Sequence, residues 1–275
     1  MTAMDAARPF AGARVVITGA GGIFGRRIAA AFARAGARLC LSDPRADVLD
    51  RLPAELELPP DATLRHATEL REAASIQDLV RLVGGAWQAP DILVNNAGVY
   101  PRSHLLDVPV DEWDRIMDVN LRAPFLLTRE MARLMIAAGI HGSVVNITSG
   151  AAQRVRTGSV PYSVSKAGLE RLTAGLALEL APHRIRVNAV SPGFAPGSVV
   201  SPLPPEYVEA MLARIPLGRA SGPDDTPNAI LFLCSSQASF ITGATLAVDG
   251  GNGLGTVDPT VGEAGGGPAG PPSAR

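Results

Sequence analysis

The chain has 275 residues, 47% of them hydrophobic and 19% charged, with a formal net charge of −1. That hydrophobic share is enough for a filled core, which argues against a disordered chain. The near cancellation of 25 basic and 26 acidic residues argues against a broad basic footprint for nucleic acid.

Of the basic residues, 24 are Arg and one is Lys, Lys166. Codon usage explains why lysine is scarce but not where the survivor sits. Arg and Lys are exchangeable on a solvated face but not where a compact ammonium is required. The two cysteines, Cys40 and Cys234, lie in apolar stretches and read as small core residues of a reducing compartment. No apolar run has membrane-spanning length, and the N-terminus has no secretory apolar segment. The expectation is a cytoplasmic protein. Residues 1–9 and the Gly/Pro-rich residues 255–275 are expected to be disordered, leaving 10–254 as one domain without internal repeats.

In chain order, strands are expected at Arg14–Thr18, Arg38–Ser42, Ala62–Ala67, Ile92–Asn95, Ser143–Thr148, Arg186–Val190 and Thr245–Val248. Several are β-branched and continuously apolar, as in a parallel sheet covered on both faces. Helices are expected at Phe24–Ala35, stopped by Gly36, then at Ser75–Val83, Asp111–Ala138, Pro161–Leu180 and Pro227–Ser235. Asp111 suits an N-cap, Pro161 a first turn, and Pro182 a stop. The alternation predicts an α/β fold with a doubly wound parallel sheet.

The first strand runs into Thr18-Gly19-Ala20-Gly21-Gly22-Ile23-Phe24-Gly25 and then a helix. Glycines at such a turn let a pyrophosphate approach closely, and the helix N-terminus offers it free N–H groups. The second strand ends at Asp43, 18 residues beyond Gly25, where an acid accepts from adenosine ribose hydroxyls and repels a 2′-phosphate. No basic residue precedes Arg26 in the loop. Both features favour NAD over NADP, while Arg45 lies close enough in sequence to soften the repulsion.

Tyr162 and Lys166 sit four residues apart at the start of a helix, so they share a face. A phenol with a pKa of about 10 is a poor proton carrier at neutral pH. A neighbouring ammonium lowers that value, giving an acid/base group closer to neutrality.

With these motifs the sequence resembles the short-chain dehydrogenase/reductase family, in its single-domain branch, from Val15 to about Gly251. Asn95-Asn96-Ala97-Gly98 follows the fourth strand, Asn120 lies in Asp118-Val119-Asn120-Leu121, and Ser149 follows the fifth strand. Ser191-Pro192-Gly193 and Val248-Asp249-Gly250-Gly251 complete the set. The resemblance implies a Rossmann-type fold and four catalytic residues. Tyr162 would be the general acid or base. Lys166 would lower its pKa and bind the nicotinamide ribose. Ser149 would hold the substrate oxygen, and Asn120 would support a water-mediated proton path to Lys166. It implies cofactor contacts at Gly19, Gly22, Ile23, Phe24, Gly25, Asp43, Glu69, Leu70, Asn95, Ala97, Gly98, Pro192, Gly193 and Ala195. The glycine loop departs from the branch: Ile23 stands where Gly is usual, giving TGxxGxxG. Glu69 replaces a common Asp, and Gly197 a common Thr, for which Ser198 would substitute.

On the substrate side, Tyr100, Arg102, His104 and residues 153–156 are expected as pocket walls, with Phe194–Met211 as a lid. Arg102, Arg154 and Arg156 suggest an anionic substrate group, although Arg is almost the only cation this chain uses. The four histidines lack metal-ligand spacing, so no metal site is expected. The resulting expectation is an NAD-dependent oxidoreductase acting on a small secondary alcohol or ketone, with oxidation slightly favoured by Asp43. It is expected to form a homo-oligomer, a tetramer or dimer, through the long helices, without nucleic-acid or membrane partners. The alternatives are an NAD-retaining epimerase or dehydratase and a catalytically silent dinucleotide-binding regulator.

Overall fold

Alternation along each strand sends successive side chains to opposite faces of the sheet. Val15 and Ile17 enter one apolar core with Leu39, Leu41, Val94 and Val145, whereas Val16 enters a second with Cys40, Leu93, Val144 and Val187. The inner strands are therefore buried on both sides, and helices supply both covers. The computed structural model describes residues 8–58, 63–196 and 203–255.

Seven parallel strands form one sheet in the order β3-β2-β1-β4-β5-β6-β7. They are β1 Arg14–Thr18, β2 Arg38–Asp43, β3 Thr63–Ala67, β4 Ile92–Asn95, β5 Ser143–Ile147, β6 Arg186–Pro192 and β7 Thr245–Val248. Among the described residues the helices are α1 Ile23–Arg34, α2 Ala46–Glu55, α3 Ala73–Trp87, α4 Val110–Met117, α5 Ala123–Ala137, α6 Val160–Leu180, α7 Pro205–Leu212 and α8 Asp225–Cys234. The strand order reverses between β1 and β4, so the chain leaves them in opposite directions and opens a crevice at their carboxyl ends. This is the doubly wound, Rossmann-type sheet expected from the sequence.

Several elements differ from expectation. Helix α2 is absent from the sequence reading, although Val48, Leu49 and Leu52 give it a buried stripe. Pro53 obscured it: the proline forgoes the bond its N–H would give the carbonyl four residues back, and the helix ends within a turn of it, at Glu55. The helix expected over Asp111–Ala138 is broken: between α4 and α5 lies a wide π turn, Asp118–Arg122, closed by the Ala123 N–H to the Asp118 carbonyl. Asp111 is not the N-cap; Pro109 holds that position, and Asp111 and Glu112 lie in the first turn, where their charge suits the helix dipole. Gly36, with φ of +89°, follows the α1 C-cap Ala35. Proline occupies the first turn of α6, and Pro182 lies in a short 3₁₀ turn beyond its end. Ala62 and most of the terminal segments lie outside the described residues. Within them Phe10 is buried against Phe32, with ring centroids 5.3 Å apart.

Polar groups also fasten helices to strands. Asn95 on β4 donates to Thr128 on α5 (3.1 Å) and to Asn146 on β5 (2.8 Å). Asn146 donates to Thr173 on α6 (2.9 Å), which donates to the Leu169 carbonyl (2.7 Å). On the other face the Asp225 carboxylate, at the start of α8, accepts from Gly222 N–H (2.7 Å) and from Arg219.

The hydrogen bonds and charge from Arg219, aided by Gly222, hold Asp225 down at about 2 from an ordinary 3.8. A carboxyl depressed in the folded state contributes stability that is complete above its unfolded value and is lost as pH falls through the folded one. Stability is therefore expected to decline between pH 3.8 and about 2 in the wild type. Chemical denaturation of Asp225→Asn across that window should show a shallower decline.

Candidate active site

The Gly19–Gly25 turn is set by how closely backbone must pack. Gly19 adopts φ of +62°, and a Cβ there would stand 2.7 Å from Ala97 Cα. A Cβ on Gly25 would overlap the Gly19 carbonyl and lie 2.8 Å from Ala20 Cα. Asn96 ties the loop to the end of β4, donating to the carbonyls of Thr18 (2.9 Å) and Gly19 (3.0 Å). Thr18 Oγ1 accepts from the N–H groups of Asn96 and Ala97, both at 3.1 Å. Gly22 caps α1, so Ile23, Phe24 and Gly25 lie in the first turn, whose N–H groups have no intrahelical acceptor.

Asp43 is buried, and protein donors surround its carboxylate. Oδ2 accepts from Gly21 N–H (3.0 Å) and Arg45 Nη2 (3.1 Å), while Oδ1 accepts from Arg45 N–H (3.2 Å) and Nε (2.8 Å). Arg45 thus lies over the acid. A Cβ on Gly21 would come within 2.8 Å of Arg45 Nη2 and 3.0 Å of Asp43 Oδ2. The bare loop, the open helix terminus and this acid-guanidinium pair form a cradle that fits a dinucleotide.

Other expected contacts are placed unevenly. Glu69 accepts from the Arg71 N–H two residues on (3.1 Å), and the Leu70 side chain is in the second core. Asn95 turns its amide inward, into the polar network described above. Gly193 packs on the end of β7, donating to the Val248 carbonyl (2.8 Å), and a Cβ there would stand 2.8 Å from Asp249 Cα. Pro192 ends β6 and Ala195 follows it, half-buried; Ser198 lies outside the described residues.

The four residues expected to be catalytic come from three elements. The π turn puts Asn120 fully inside. Its Oδ1 accepts from Val99 N–H (2.9 Å), and its Nδ2 donates to the Val99 carbonyl (2.9 Å) and Ser165 Oγ (3.1 Å). It thereby joins the chain after β4 to α6. A Cβ on Gly98 would stand 3.5 Å from both Asn120 Oδ1 and Lys166 Nζ, so these two polar groups converge on one backbone position. Lys166 is buried and donates to the Ile147 carbonyl (2.8 Å), the last residue of β5. Its Nζ lies 5.9 Å from the centre of the Tyr162 ring. Ser149 follows β5, and its Oγ accepts from Ala151 N–H (3.2 Å).

Burial lowers the Lys166 ammonium to about 8. Burial pushes the Tyr162 phenol above its ordinary value; a hydrogen bond with Ser149 opposes this and the Tyr100 side chain adds to it. The Tyr100 ring stands edge-on to Tyr162, centroids 6.2 Å apart. The expectation that Lys166 lowers the phenol is therefore not met in this arrangement. The ammonium donates to the Ile147 carbonyl, and burial is the largest effect on the phenol.

The sequence reading did not single out Asn96, Thr18 or the Ile147 carbonyl as parts of this machinery. The paired asparagines 95 and 96 were the available signal: one faces the core and the other the loop. A backbone acceptor such as Ile147 leaves no side-chain signal. Among the described residues, no group of three or more His, Cys, Asp or Glu side chains gathers as metal ligands, and no helix is long and apolar enough to cross a membrane.

Residues 19–252 match the family model described as Enoyl-(Acyl carrier protein) reductase. A 3-oxoacyl-(acyl-carrier-protein) reductase of Thermotoga maritima is 35% identical over 86% of this chain and 96% of its own length. Human L-xylulose reductase is 37% identical over 88% and 96%. A crystal structure of 3-ketoacyl-(acyl-carrier-protein) reductase from Brucella melitensis, complexed with NADH, superposes with a TM-score of 0.80 at 34% identity, covering 88% of this chain and 99% of that one. The fold and these relatives define an oxidoreductase built on a Rossmann-type sheet. The chain belongs to the short-chain dehydrogenase/reductase family.

Because a methyl on Gly25 has only backbone to displace, Gly25→Ala is expected to cost about 1–3 kcal/mol of stability. Denaturant midpoints would measure this loss, and dinucleotide affinity measured by calorimetry should fall with it.

Proposed function

We propose that this protein transfers a hydride between NAD(H) and a secondary alcohol or its ketone, with Tyr162 carrying the proton. The carrying observation is the meeting of Tyr162, Ser149, Lys166 and Asn120 at the carboxyl ends of β4 and β5, beside a dinucleotide cradle. When bound, the nicotinamide supplies or accepts the hydride. Gly19, Gly22, Ile23, Phe24 and Gly25 would receive its pyrophosphate. Ala97, Gly98, Pro192, Gly193, Ala195 and Ser198 would flank the rest. Glu69, Leu70 and Asn95 would contribute through their backbone positions.

Ser149 Oγ and the Tyr162 hydroxyl hold the substrate oxygen between them. The raised phenol is protonated at neutral pH, so it is ready to donate. This favours ketone reduction over the oxidation suggested by Asp43 alone, in keeping with the reductase names of the relatives above. The proton lost from Tyr162 is replaced through Lys166 from water, along a path that Asn120 supports; the polar groups of the two residues face the same point beside Gly98. Lys166 suits this task because a compact ammonium fits between Ile147 and Gly98; a forked guanidinium is wider.

We further propose NAD as the preferred cofactor, with a narrow margin. Asp43 favours a free ribose, but Arg45 lies on it and offsets part of its charge. The apolar groups exposed on the outer helices, Phe125 and Val164 among them, support a homo-oligomer, and light scattering would give its size. A cytoplasmic location remains part of the proposal.

A substrate panel followed at the nicotinamide absorbance, with NADH and NADPH in parallel, tests the proposal; no turnover of any ketone would overturn it. Tyr162→Phe is expected to lower kcat by about 10²–10⁴-fold while the circular dichroism spectrum is retained. Lys166→Arg should lose most activity with the fold intact. Ketone reduction should be level at neutral pH and fall as pH rises through about 8, where Lys166 loses its proton. A kcat/KM profile checks the sign. Arg45→Ala should widen the preference for NADH over NADPH by weakening attraction for a 2′-phosphate; unchanged kcat/KM ratios would count against that role.

A further inference from the structure

Three arginines suggested an anionic substrate group, and the structure separates them. Arg154 is committed to the C-terminal segment, donating to the carbonyls of Asn252 (2.6 Å) and Gly255 (3.2 Å). Arg102 and Arg156 instead converge on one oxygen. Arg102 Nη2 donates to the Tyr207 hydroxyl at 2.8 Å, and Arg156 Nη1 reaches the same oxygen at 3.5 Å.

The two come from different segments, the chain after β4 and the chain after β5. Arg102 follows β4, two residues beyond the Tyr100 ring that stands against Tyr162; two residues of chain span at most about 7 Å. Arg156 lies between Ser149 and Tyr162. The Ser103 N–H donates to the Gly158 carbonyl at 3.1 Å and stitches these segments together. Tyr207 belongs to α7, and its ring packs edge-on against Phe194, which follows β6.

Many arginines of this chain pair with carboxylates, as in Arg14–Asp91 and Arg219–Asp225, and others such as Arg27 and Arg186 donate to backbone carbonyls. Among the described residues neither Arg102 nor Arg156 has such a partner. The nearby Glu112 accepts from Ser103 Oγ. Burial would raise the Tyr207 phenol, yet the Arg102 hydrogen bond and the charges of both guanidiniums outweigh it and lower the pKa. Arg102 also stacks over the Tyr207 ring (5.3 Å) and Arg156 Nη1 also meets Met211 Sδ (3.5 Å), so both solvent-exposed cations have only neutral protein partners there and keep donors and charge to spare.

We propose that Arg102 and Arg156 form a two-guanidinium clasp for an anionic oxygen group, carboxylate or phosphoryl, at the far end of the substrate from its carbonyl. Tyr207 stands where that group binds and yields its place to it. The clasp deepens the reading of the crevice as a ketone site and rests on it. It makes the enzyme selective for short oxo acids or phosphorylated ketones over neutral ones.

The test measures binding by calorimetry, with the enzyme alone and with saturating NAD, so that no reduction takes place. The methyl-ketone acids from acetoacetate to 6-oxoheptanoate are compared with their methyl esters, and dihydroxyacetone phosphate with dihydroxyacetone. At least one acid, or the phosphate, should bind tenfold or more tightly than its neutral partner; which arm responds names the group. Arg102→Gln and Arg156→Gln should each collapse that ratio at least tenfold, whereas Arg154→Gln should preserve it. Tyr207→Phe, which keeps both guanidiniums, should preserve or raise it. Ratios near one in the wild type overturn the clasp. So does a parallel loss of charged and neutral ligands in the Arg variants, which would make these residues tethers of α7. Ketones bound selectively but never reduced with NADH or NADPH would overturn the oxidoreductase reading and leave the clasp standing.

Discussion

The site depends on a buried chain of side-chain hydrogen bonds running from Thr128 through Asn95 and Asn146 to Thr173. Apolar packing alone lets a helix slide on a sheet by a fraction of a turn, because dispersion contacts are weak individually and non-directional. A buried amide that loses its partner costs about 1–3 kcal/mol, so this network admits one register. It fixes α5, which begins just after Asn120, and α6, which carries Tyr162 and Lys166, against the strand ends that present Gly98 and Ser149. The reacting groups sit at the rim, and the groups that locate them lie one layer below.

Lys166 shows how the same layer sets chemistry. An ammonium removed from water is strongly disfavoured unless it meets acceptors. The Ile147 carbonyl supplies one, and the chain beside Gly98 leaves space on the other side. The charge is tolerated but loosened, down to about 8. This is a proton store that responds near neutrality, which an arginine, charged at every accessible pH, does not provide. A sequence built almost wholly on arginine keeps its one lysine at that point.

Much of this was legible in the sequence because it rests on local rules. Continuous β-branched runs marked the strands, glycines at a strand end marked the loop, and a four-residue interval put Tyr162 and Lys166 on one face. What escaped depends on contacts between distant segments. Helix α2 was hidden because Pro53 reads as a breaker until its position in the last turn is known. The π turn has no sequence signature of its own, since it arises where Asn120 finds partners on Val99 and Ser165. Arg45 stood near Asp43 in sequence, but only the fold shows three of its N–H groups on that carboxylate. Of three arginines equivalent on paper, only spatial convergence separates Arg102 and Arg156 from Arg154.

The wide turn at Asp118–Arg122 has a consequence for how such a chain can change. Each residue of an α-helix advances the side-chain direction by about 100°. The turn holds one residue more than a regular helix would, and α4 and α5 both sit in register only with that surplus. Removing a single residue there would straighten the helix into a more regular object. It would also swing either Asn120 or the whole of α4 away from its partners. Substitutions along this stretch are open to gradual exploration, whereas its length is fixed. The irregular stretch is therefore a counted spacer, and the count keeps Asn120 joined to Val99 and Ser165.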